Sequence, residues 1–314
     1  MKTMETMETS MKLKGQSAWK KHKIALLMLL PALVSVFVFS YLPLLGIVIA
    51  FKDFNLLLGI WDSPWVGLDN FKEIFIQPEM LKAVCNTLLY GVCITFGAFP
   101  FPVVLALLFN ELRNARFKKI TQTLTYMPHF LSWISVVGLF YAFFAKEGTF
   151  NQMMIQIVGD SWESKNILLD DKYFLPIIFW THVWKSTGWS SIIFLAAITG
   201  IDSSLYEAAA IDGCGKLKQV WHITLPCIKG TIVTVLVMSL GGLVTTSFEQ
   251  VYGFQNLFTQ ENTEVINTLI YRQGIQGGKY SLASAFGLAQ GLVTITLILT
   301  ANFISKKLLQ TSIW

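Results

Sequence analysis

A charged residue and a titratable residue lie close together inside an apolar stretch of the chain. Lys185 lies near the middle of a long apolar run, and His182 lies three residues before it. A charge at that depth of a membrane costs at least about 2.5 kcal/mol, so both side chains are expected to face a bundle interior or a wet cavity. The Lys185 ammonium would either pair with a carboxylate of this chain or a partner chain, or contact a carboxylate of a transported molecule.

Aromatic residues recur at helical spacing around this pair. Tyr126, His129 and Trp133 are three and four residues apart, which predicts that they share one helix face, and Trp180 and Trp184 do the same further along. Since aromatic rings stack on sugar rings, these residues are candidates for lining a substrate path. The full candidate set is Tyr126, His129, Trp133, Trp180, His182, Trp184, Lys185 and Trp189. The alternative is that Trp133 and Trp180 anchor helices at the membrane surface and that His129 is a satisfied helix-end histidine.

No catalytic constellation accompanies these residues. The sequence lacks the Gly-x-x-x-x-Gly-Lys-Ser/Thr loop that cradles nucleotide phosphates, and it also lacks the His-Glu-x-x-His and Gly-x-Ser-x-Gly patterns. The four cysteines have no metal-ligand spacing, so we predict small buried side chains rather than a disulfide framework or a metal site. The chain is therefore predicted to be non-catalytic, and any energy for its work must come from a separate subunit.

The composition is that of a polytopic membrane protein. Of the 314 residues, 54% are hydrophobic and only 14% are charged, and the mean hydropathy is +0.55. The net charge of +5 needs no nucleic acid to explain it, because the positive residues follow the loops of a membrane protein. Six apolar runs each have the roughly 20 residues that cross a bilayer. They are predicted to be helices at about 24–50, 82–109, 120–144, 174–199, 227–246 and 281–304.

The distribution of lysine and arginine predicts the orientation. Six lysines precede the first run and four lysines and arginines lie in 110–119, whereas the longer loop 51–81 has only two. Positive residues favour the cytoplasmic side. We therefore predict a cytoplasmic tail at 1–23, a six-helix all-α membrane region at 24–304 and a cytoplasmic tail at 305–314. The loop at 200–226 would also be cytoplasmic, in a multi-pass protein of the plasma membrane.

That loop has a distinctive local pattern. Ser204 and Glu207 are spaced as a capping box, which predicts the start of a short helix, and Gly213 is suited to ending it in a left-handed conformation. A second short helix is predicted near 216–222, and Pro226 is expected to open the next membrane span. The predicted product is a helix, a bend and a second helix at the membrane surface.

The loop resembles the Glu-Ala-Ala loop of binding-protein-dependent ABC importer permeases. Cys214 stands where the family has alanine, and Gly230 where a proline is common. The matching residues are Glu207, Ala208, Ala209, Asp212, Gly213, Leu225 and Pro226. The resemblance implies a coupling helix that docks on a cytoplasmic ATPase dimer, which uses ATP and Mg²⁺ while this chain binds no cofactor. It further implies a type I importer fold, a second and different permease as partner in a heterodimer, an extracellular solute-binding protein, and a bacterial source.

The outer loops resemble a narrower branch of that family. Trp65, Gly67, Leu68, Asn70 and Phe71 follow a spacing found before the second span of sugar permeases. The stretches 41–51 and 248–272 resemble the polysaccharide-type permeases, which implies uptake of an oligosaccharide. The bland alternative for these loops is that they carry only interfacial aromatic residues.

The charge of Lys185 suggests that the oligosaccharide is acidic, such as a uronate-containing fragment of rhamnogalacturonan or alginate. The alternative function is a stand-alone secondary transporter or channel. Such carriers usually have internal repeats and discontinuous spans. Neither feature is clear in this sequence.

Overall fold

The computed structural model describes residue 23 and residues 26–309, and that part of the chain is helical apart from its loops and one isolated antiparallel bridge, Lys52 to Trp65. The predicted tail 1–23 lies outside the described residues except for Lys23, and so do residues 310–314. The main helices are α1 (Leu26–Phe51), α2 (Asp69–Ile76), α3 (Pro78–Glu111), α4 (Ala115–Phe130), α5 (Trp133–Phe144), α6 (Thr149–Val158), α7 (Phe174–Thr199), α8 (Ser203–Ile211), α9 (Lys216–Leu243), α10 (Phe248–Phe254) and α11 (Tyr280–Leu309).

The number of membrane-crossing helices agrees with the all-α prediction of six spans. Within the described residues, α1, α3, α9 and α11 are each long and apolar enough to cross a bilayer as continuous helices. Two bent pairs, α4 with α5–α6 and α7 with α8, also qualify if each pair is taken as one span, which brings the total to six. The last helix runs to Leu309, five residues beyond the predicted end of the sixth span.

The third predicted span, 120–144, is bent and consists of two helices rather than one continuous helix. The axes of the two halves differ by about 100° at a break between Phe130 and Trp133. Pro128 lies in a tight 3₁₀ turn at the end of α4, and the Ser132 side chain then caps a new helix by accepting from the backbone of Ser135 at 3.2 Å. A proline and a fresh N-cap so close together favour a break over a continuous helix.

The start of the fifth span also differs from the prediction. There is no separate short helix before Pro226, because α9 is continuous from Lys216 to Leu243. Pro226 lies inside α9 rather than at its beginning, directly after a wide π-helical segment at Val220–Thr224. Proline provides no backbone donor in a helix, and a local change of hydrogen-bond pattern accommodates that loss.

Helix α7 is at the centre of the bundle, in contact with α3, α4 and α9. Phe194 and Ile198 of α7 are almost completely buried with Ile228 of α9 in one apolar cluster. Gly188 lies so close to the end of α4 that a Cβ atom there would overlap the carbonyl oxygen of Thr125. Helix α1 lies at the periphery, and every side chain from 26 to 45 is exposed.

The first outer loop is organised by the residues of its sequence motif. The Phe51 ring stacks on Trp65 with ring centroids 5.8 Å apart, and it also contacts Phe71 at 5.3 Å. The Asn70 side-chain amide donates to the backbone carbonyls of Ala50 and Lys52 at 2.9 and 3.0 Å. The motif therefore has a structural role, since it closes the loop onto the end of α1.

Side-chain contacts group the loops at two ends of the bundle. At one end, Lys216 and Glu111 form an ion pair at 3.4 Å, which joins the loop after α8 to the end of α3. At the other end, Asn262 accepts from Lys82 at 2.6 Å and donates to Asp171 at 2.5 Å, which joins the loops around Asn262 and Asp171 to the start of α3. This grouping is the one that the lysine and arginine distribution predicts for the two membrane sides.

Candidate functional site

A cavity of about 290 Å³ lies among α3, α7, α9 and α10, and hydroxyl groups dominate its polar lining. The cavity lies beside the central helix α7, within the apolar bundle. Its polar lining residues are Thr95, His182, Ser186, Thr187, Ser190, Ser239, Thr245, Thr246, Ser247 and Gln250. Hydroxyls both donate and accept hydrogen bonds, so such a lining suits water or the hydroxyl groups of a sugar.

Gln250 is a fully buried polar residue of this cavity wall. Its side-chain amide donates to the Ile178 carbonyl at 2.8 Å and to the Thr181 hydroxyl at 2.9 Å, which attaches α10 to α7. Its Oε1 atom and the hydroxyl of Thr246 have no hydrogen-bond partner among the described residues. Because unpartnered buried acceptors are costly, the cavity is suited to a polar occupant.

Lys185 lies in a second group of side chains, at the break in the third span. Its side chain is buried, with only 7% exposed, and its ammonium donates to the backbone carbonyl of His129 at 2.7 Å. The same ammonium lies 5.3 Å from the centre of the Trp133 ring. Among the described residues, no carboxylate lies within ion-pair distance of Lys185, and Glu249 is the carboxylate whose charge acts on it.

These contacts stabilise the charge of Lys185 and the break between α4 and α5. The His129 carbonyl belongs to the last turn of α4, where backbone carbonyls lack helical partners and carry partial negative charge. The His129 ring stacks flat on Trp189, with centroids 4.7 Å apart, which attaches the same turn to α7 a second time. Lys185 and Trp189 therefore hold the end of α4 against α7.

The structure brings some of the predicted path residues together and separates others. Lys185, His129, Trp133 and Trp189 form one cluster, and His182 lines the cavity. The expectation that Tyr126, His129 and Trp133 share one helix face is wrong, because the break in the third span separates them.

The remaining aromatic candidates lie apart from both groups. Tyr126 contacts Phe109, Trp180 contacts Phe101 and Trp184 contacts Phe140, with ring centroids 6.2, 5.7 and 6.0 Å apart. The indole rings of Trp180 and Trp184 are exposed on the surface of the bundle. They do not line the hydroxyl-rich cavity.

Sequence reasoning missed the hydroxyl residues of the cavity. The signal was present in α7, where Ser186, Thr187 and Ser190 interrupt an apolar run at one-turn spacing. Polar residues inside a membrane span commonly face a cavity or a path, so the three together indicate one wall. No sequence pattern shows that they face Thr95 and Ser239 of other spans.

The predicted coupling segment contains the short helix α8, but its N-terminal cap is not the predicted one. Asp202 is the N-cap, and its carboxylate accepts from the Ser204 backbone at 3.0 Å. That hydrogen bond lowers the pKa of the Asp202 carboxyl below its ordinary value. Glu207 is exposed and makes no cap, so the capping box is wrong because Asp202 occupies the position first.

The end of α8 follows the prediction. Gly213 has φ of +75°, and Cys214 and Gly213 donate to the carbonyls of Ala209 and Ala210 at 2.8 and 3.1 Å. This pair of bonds is a Schellman motif. Beyond it the surface is apolar, with Ile211 and Leu217 87% and 75% exposed. Exposed apolar side chains that lie together are common at protein–protein interaction sites.

The cysteines are free in the described residues, and no disulfide links them. Cys85 and Cys227 are exposed on membrane-crossing helices, whereas Cys93 and Cys214 are half-buried. The prediction of buried side chains is therefore wrong for Cys85 and Cys227. A small hydrophobic side chain needs no protein neighbour where the surrounding solvent is lipid.

Comparison with known proteins gives one family match and several relatives that align with most of the chain. The family model described as "binding-protein-dependent transport system inner membrane component" matches residues 79–311. Protein LplB of Bacillus subtilis is 41% identical over 292 residues, covering 93% of this chain and 91% of that protein. The polygalacturonan/rhamnogalacturonan transport system permease protein YteP of the same organism is 41% identical over 287 residues, covering 91% of this chain and 89% of that protein.

Solved structures show the same similarity in three dimensions. A chain of a bacterial alginate ABC transporter, in complex with an alginate pentasaccharide-bound periplasmic protein, has a TM-score of 0.85 and 33% identity. The match covers 95% of this chain and 99% of that chain. A chain of a bacterial ABC transporter involved in the import of the acidic polysaccharide alginate has a TM-score of 0.84 and 34% identity, covering 94% and 99%.

Proposed function

The chain belongs to the family of binding-protein-dependent transport system inner membrane components, and we propose that it is the permease through which acidic oligosaccharides enter the cell. It is a non-catalytic subunit of an ABC importer, since its family and its relatives are permeases. A second, different permease would complete the path, an ATPase dimer would hydrolyse ATP with Mg²⁺, and an extracellular binding protein would deliver the oligosaccharide.

An acidic substrate is supported by two comparisons that agree, one with the sequence of a relative and one with a solved structure. A relative named for polygalacturonan and rhamnogalacturonan is 41% identical over 91% of this chain, and a structural neighbour imports alginate. Both kinds of polymer contain uronate units, which carry a carboxylate on each such sugar. The substrate that both likenesses support is therefore a short uronate-containing oligosaccharide.

The proposed path combines the cavity and the Lys185 cluster. The hydroxyl lining and His182 provide hydrogen-bond partners for sugar hydroxyls. The Lys185 cluster, with Trp133, adds a buried positive charge and an aromatic surface on the neighbouring part of α7. Tyr126, Trp180, Trp184 and the other aromatic candidates would belong to outer parts of the same path or to its walls.

The coupling helix is proposed to connect the path to the ATPase. Glu207 and Asp212 are exposed on α8, beside the apolar side chain of Ile211. A surface with an apolar centre and exposed carboxylates fits a groove that has basic residues at its rim. The Glu207 carboxylate would make a charge-assisted hydrogen bond to such a residue.

The decisive experiment compares a matched pair of oligosaccharides in the full reconstituted importer with its binding protein. Trigalacturonate and its trimethyl ester have the same chain length, and the ester replaces each carboxylate by an uncharged methyl ester. We expect trigalacturonate to stimulate ATPase activity and to accumulate in the vesicles, and the ester to do neither. Calorimetric titration of the binding protein alone would show how much of the preference arises before the permease. Equal uptake of both compounds, at equal binding-protein saturation, would exclude an acidic-substrate permease.

A second measurement separates the importer from a stand-alone transporter. The chain should leave the membrane in complex with an ATPase and a second permease, and uptake should require ATP. Uptake by the purified chain alone in vesicles would favour the secondary transporter or channel.

A further inference from the structure

Three aromatic rings form a continuous surface on the outer side of α10. Phe248 and Tyr252 are stacked with ring centroids 5.1 Å apart and an interplanar angle of 19°. Tyr271 closes the group at 5.2 Å from each of the two rings. We call Phe248, Tyr252 and Tyr271 the aromatic platform. Tyr252 is 37% exposed.

The opposite face of the same helix holds the platform in place. Gln250, Val251 and Phe254 are almost completely buried against the bundle. Gln250 donates to two groups of α7, the Ile178 carbonyl and the Thr181 hydroxyl. Because α10 is short and attached on this side, the rings on its other side have little freedom to reorient.

A largely buried ion pair lies against one ring of the platform. Arg272 lies 5.8 Å from the centre of the Tyr252 ring and is paired with Glu264 at 3.2 Å. The guanidinium also donates to the Gln255 side chain at 2.5 Å. Only 16% and 12% of the Arg272 and Glu264 side chains are exposed. A partly desolvated ion pair is costly to maintain, so its position under a single ring suggests a role in orienting that ring.

Two residues of the platform, Phe248 and Tyr252, share helix α10 with the wall of the hydroxyl-lined cavity. Ser247 and Gln250, which lie on either side of Phe248 in the sequence, both line the cavity. Glu249, which lies between Phe248 and Gln250 in the sequence, is exposed.

We propose that the aromatic platform is a stacking subsite for one pyranose ring of the transported oligosaccharide. The inference rests on the proposed function and names a site for it outside the cavity. The apolar C–H face of a sugar ring would lie on Tyr252. The phenolic hydroxyls of Tyr252 and Tyr271, which have no hydrogen-bond partner among the described residues, would bond sugar hydroxyls.

A sugar fits this surface better than a helix of the partner permease does. A packed apolar helix would bury the two phenolic hydroxyls and the Glu249 carboxylate without partners, and that burial is costly. A sugar provides donors and acceptors for these groups and an apolar face for the rings. Helix α10 also provides Gln250 to the wall of a cavity whose lining suits the same ligand.

The test compares three variants in the full importer with its binding protein, reconstituted in vesicles. Tyr252→Leu removes the ring and retains an apolar side chain, whereas Tyr252→Phe retains the ring. Tyr173→Leu removes a tyrosine of similar exposure, 40%, from a different loop at the same end of the bundle. With trigalacturonate as probe, we expect Tyr252→Leu to lower uptake about three- to tenfold. Tyr252→Phe should remain within about twofold of the wild type, and Tyr173→Leu should not differ from it.

Two results would overturn the proposal. One is wild-type uptake by Tyr252→Leu in an intact complex. The other is loss of the second permease from Tyr252→Leu during size-exclusion chromatography, which would identify the platform as a subunit contact. A failure of the proposed function would give a different result from a failure of the platform proposal. The wild type would then import a neutral oligosaccharide and not trigalacturonate. In that case the same variants tested with the neutral compound still decide whether the platform binds a sugar ring.

Discussion

Gly188 allows the closest helix contact near the candidate path. Its backbone lies against the Thr125 carbonyl at the end of α4, where there is no room for a Cβ atom. We expect Gly188→Ala to push α7 away from α4 and to lower stability by about 1–3 kcal/mol, as overpacking does elsewhere. Thermal unfolding of the purified complex would show this as a lower midpoint.

The matched control for Gly188 is Gly287→Ala in α11. No atom lies within 4 Å of a Cβ added at Gly287. This variant should unfold at the wild-type temperature or slightly above it, because alanine is the better helix former. Equal midpoints for the two variants would contradict the close contact between α7 and α4 at Gly188.

Lys185 has two possible roles, which substitution can separate. Because its ammonium already donates to the His129 carbonyl and is buried, we expect Lys185→Met to weaken the end of α4. Loss of a hydrogen bond to a charged group costs about 1.5–3 kcal/mol. Uptake of trigalacturonate should therefore fall together with the thermal midpoint of the complex, and Lys185→Arg should retain part of both. A loss of trigalacturonate uptake by Lys185→Met at the wild-type midpoint would instead assign Lys185 to reading the substrate charge.

The coupling helix depends on a backbone conformation that few residues tolerate. Gly213 has φ of +75° and ends α8 in the Schellman motif. Gly213→Val should distort this end, because a β-branched residue disfavours the left-handed region by about 1–2 kcal/mol or more. We expect ATPase activity to become independent of the loaded binding protein while transport falls.

Asparagine provides the control at the same position, because it tolerates the left-handed conformation better than other residues with a side chain. There is open space around Gly213, so the added atoms meet no neighbour. Gly213→Asn should therefore retain most of the coupling. If the ATPase activity of Gly213→Val depended on the loaded binding protein as strongly as that of Gly213→Asn, the backbone conformation at this residue would not matter for docking.

The sequence predicted the elements that depend on local signals. The fourth span was predicted at 174–199 and is found at Phe174–Thr199, because a mostly apolar run of that length favours a membrane helix. The left-handed end of α8 followed from Gly213 alone. Both features are decided within a few residues of the chain.

Features that depend on contacts between distant residues were not predicted. Pro128 and Ser132 indicate a possible break, but the 100° bend also needs Lys185 and Trp189 to hold the end of α4. The cavity combines hydroxyls from helices far apart in the sequence, for which no spacing rule exists. Tertiary contact decides these features.

The coupling segment and the cavity are connected by one helix. Helix α9 begins at Lys216, three residues after Gly213, and continues to Leu243, a length of about 42 Å, with the π-helical segment Val220–Thr224 near its start. Its later part provides Val235, Ser239 and Gly242 to the cavity wall. We expect a displacement of the start of α9 to be passed along this helix to the cavity wall.

The proposed coupling role requires that α8 lies on the cytoplasmic side of the membrane. Leu57, in the first outer loop, is 95% exposed and Ile211, at the end of α8, is 87% exposed. In a background without the four native cysteines, we expect Leu57→Cys to react with an impermeant maleimide added to intact cells. Ile211→Cys should react only after the membrane is opened. The reverse pattern would place α8 outside the cell, where no ATPase could reach it.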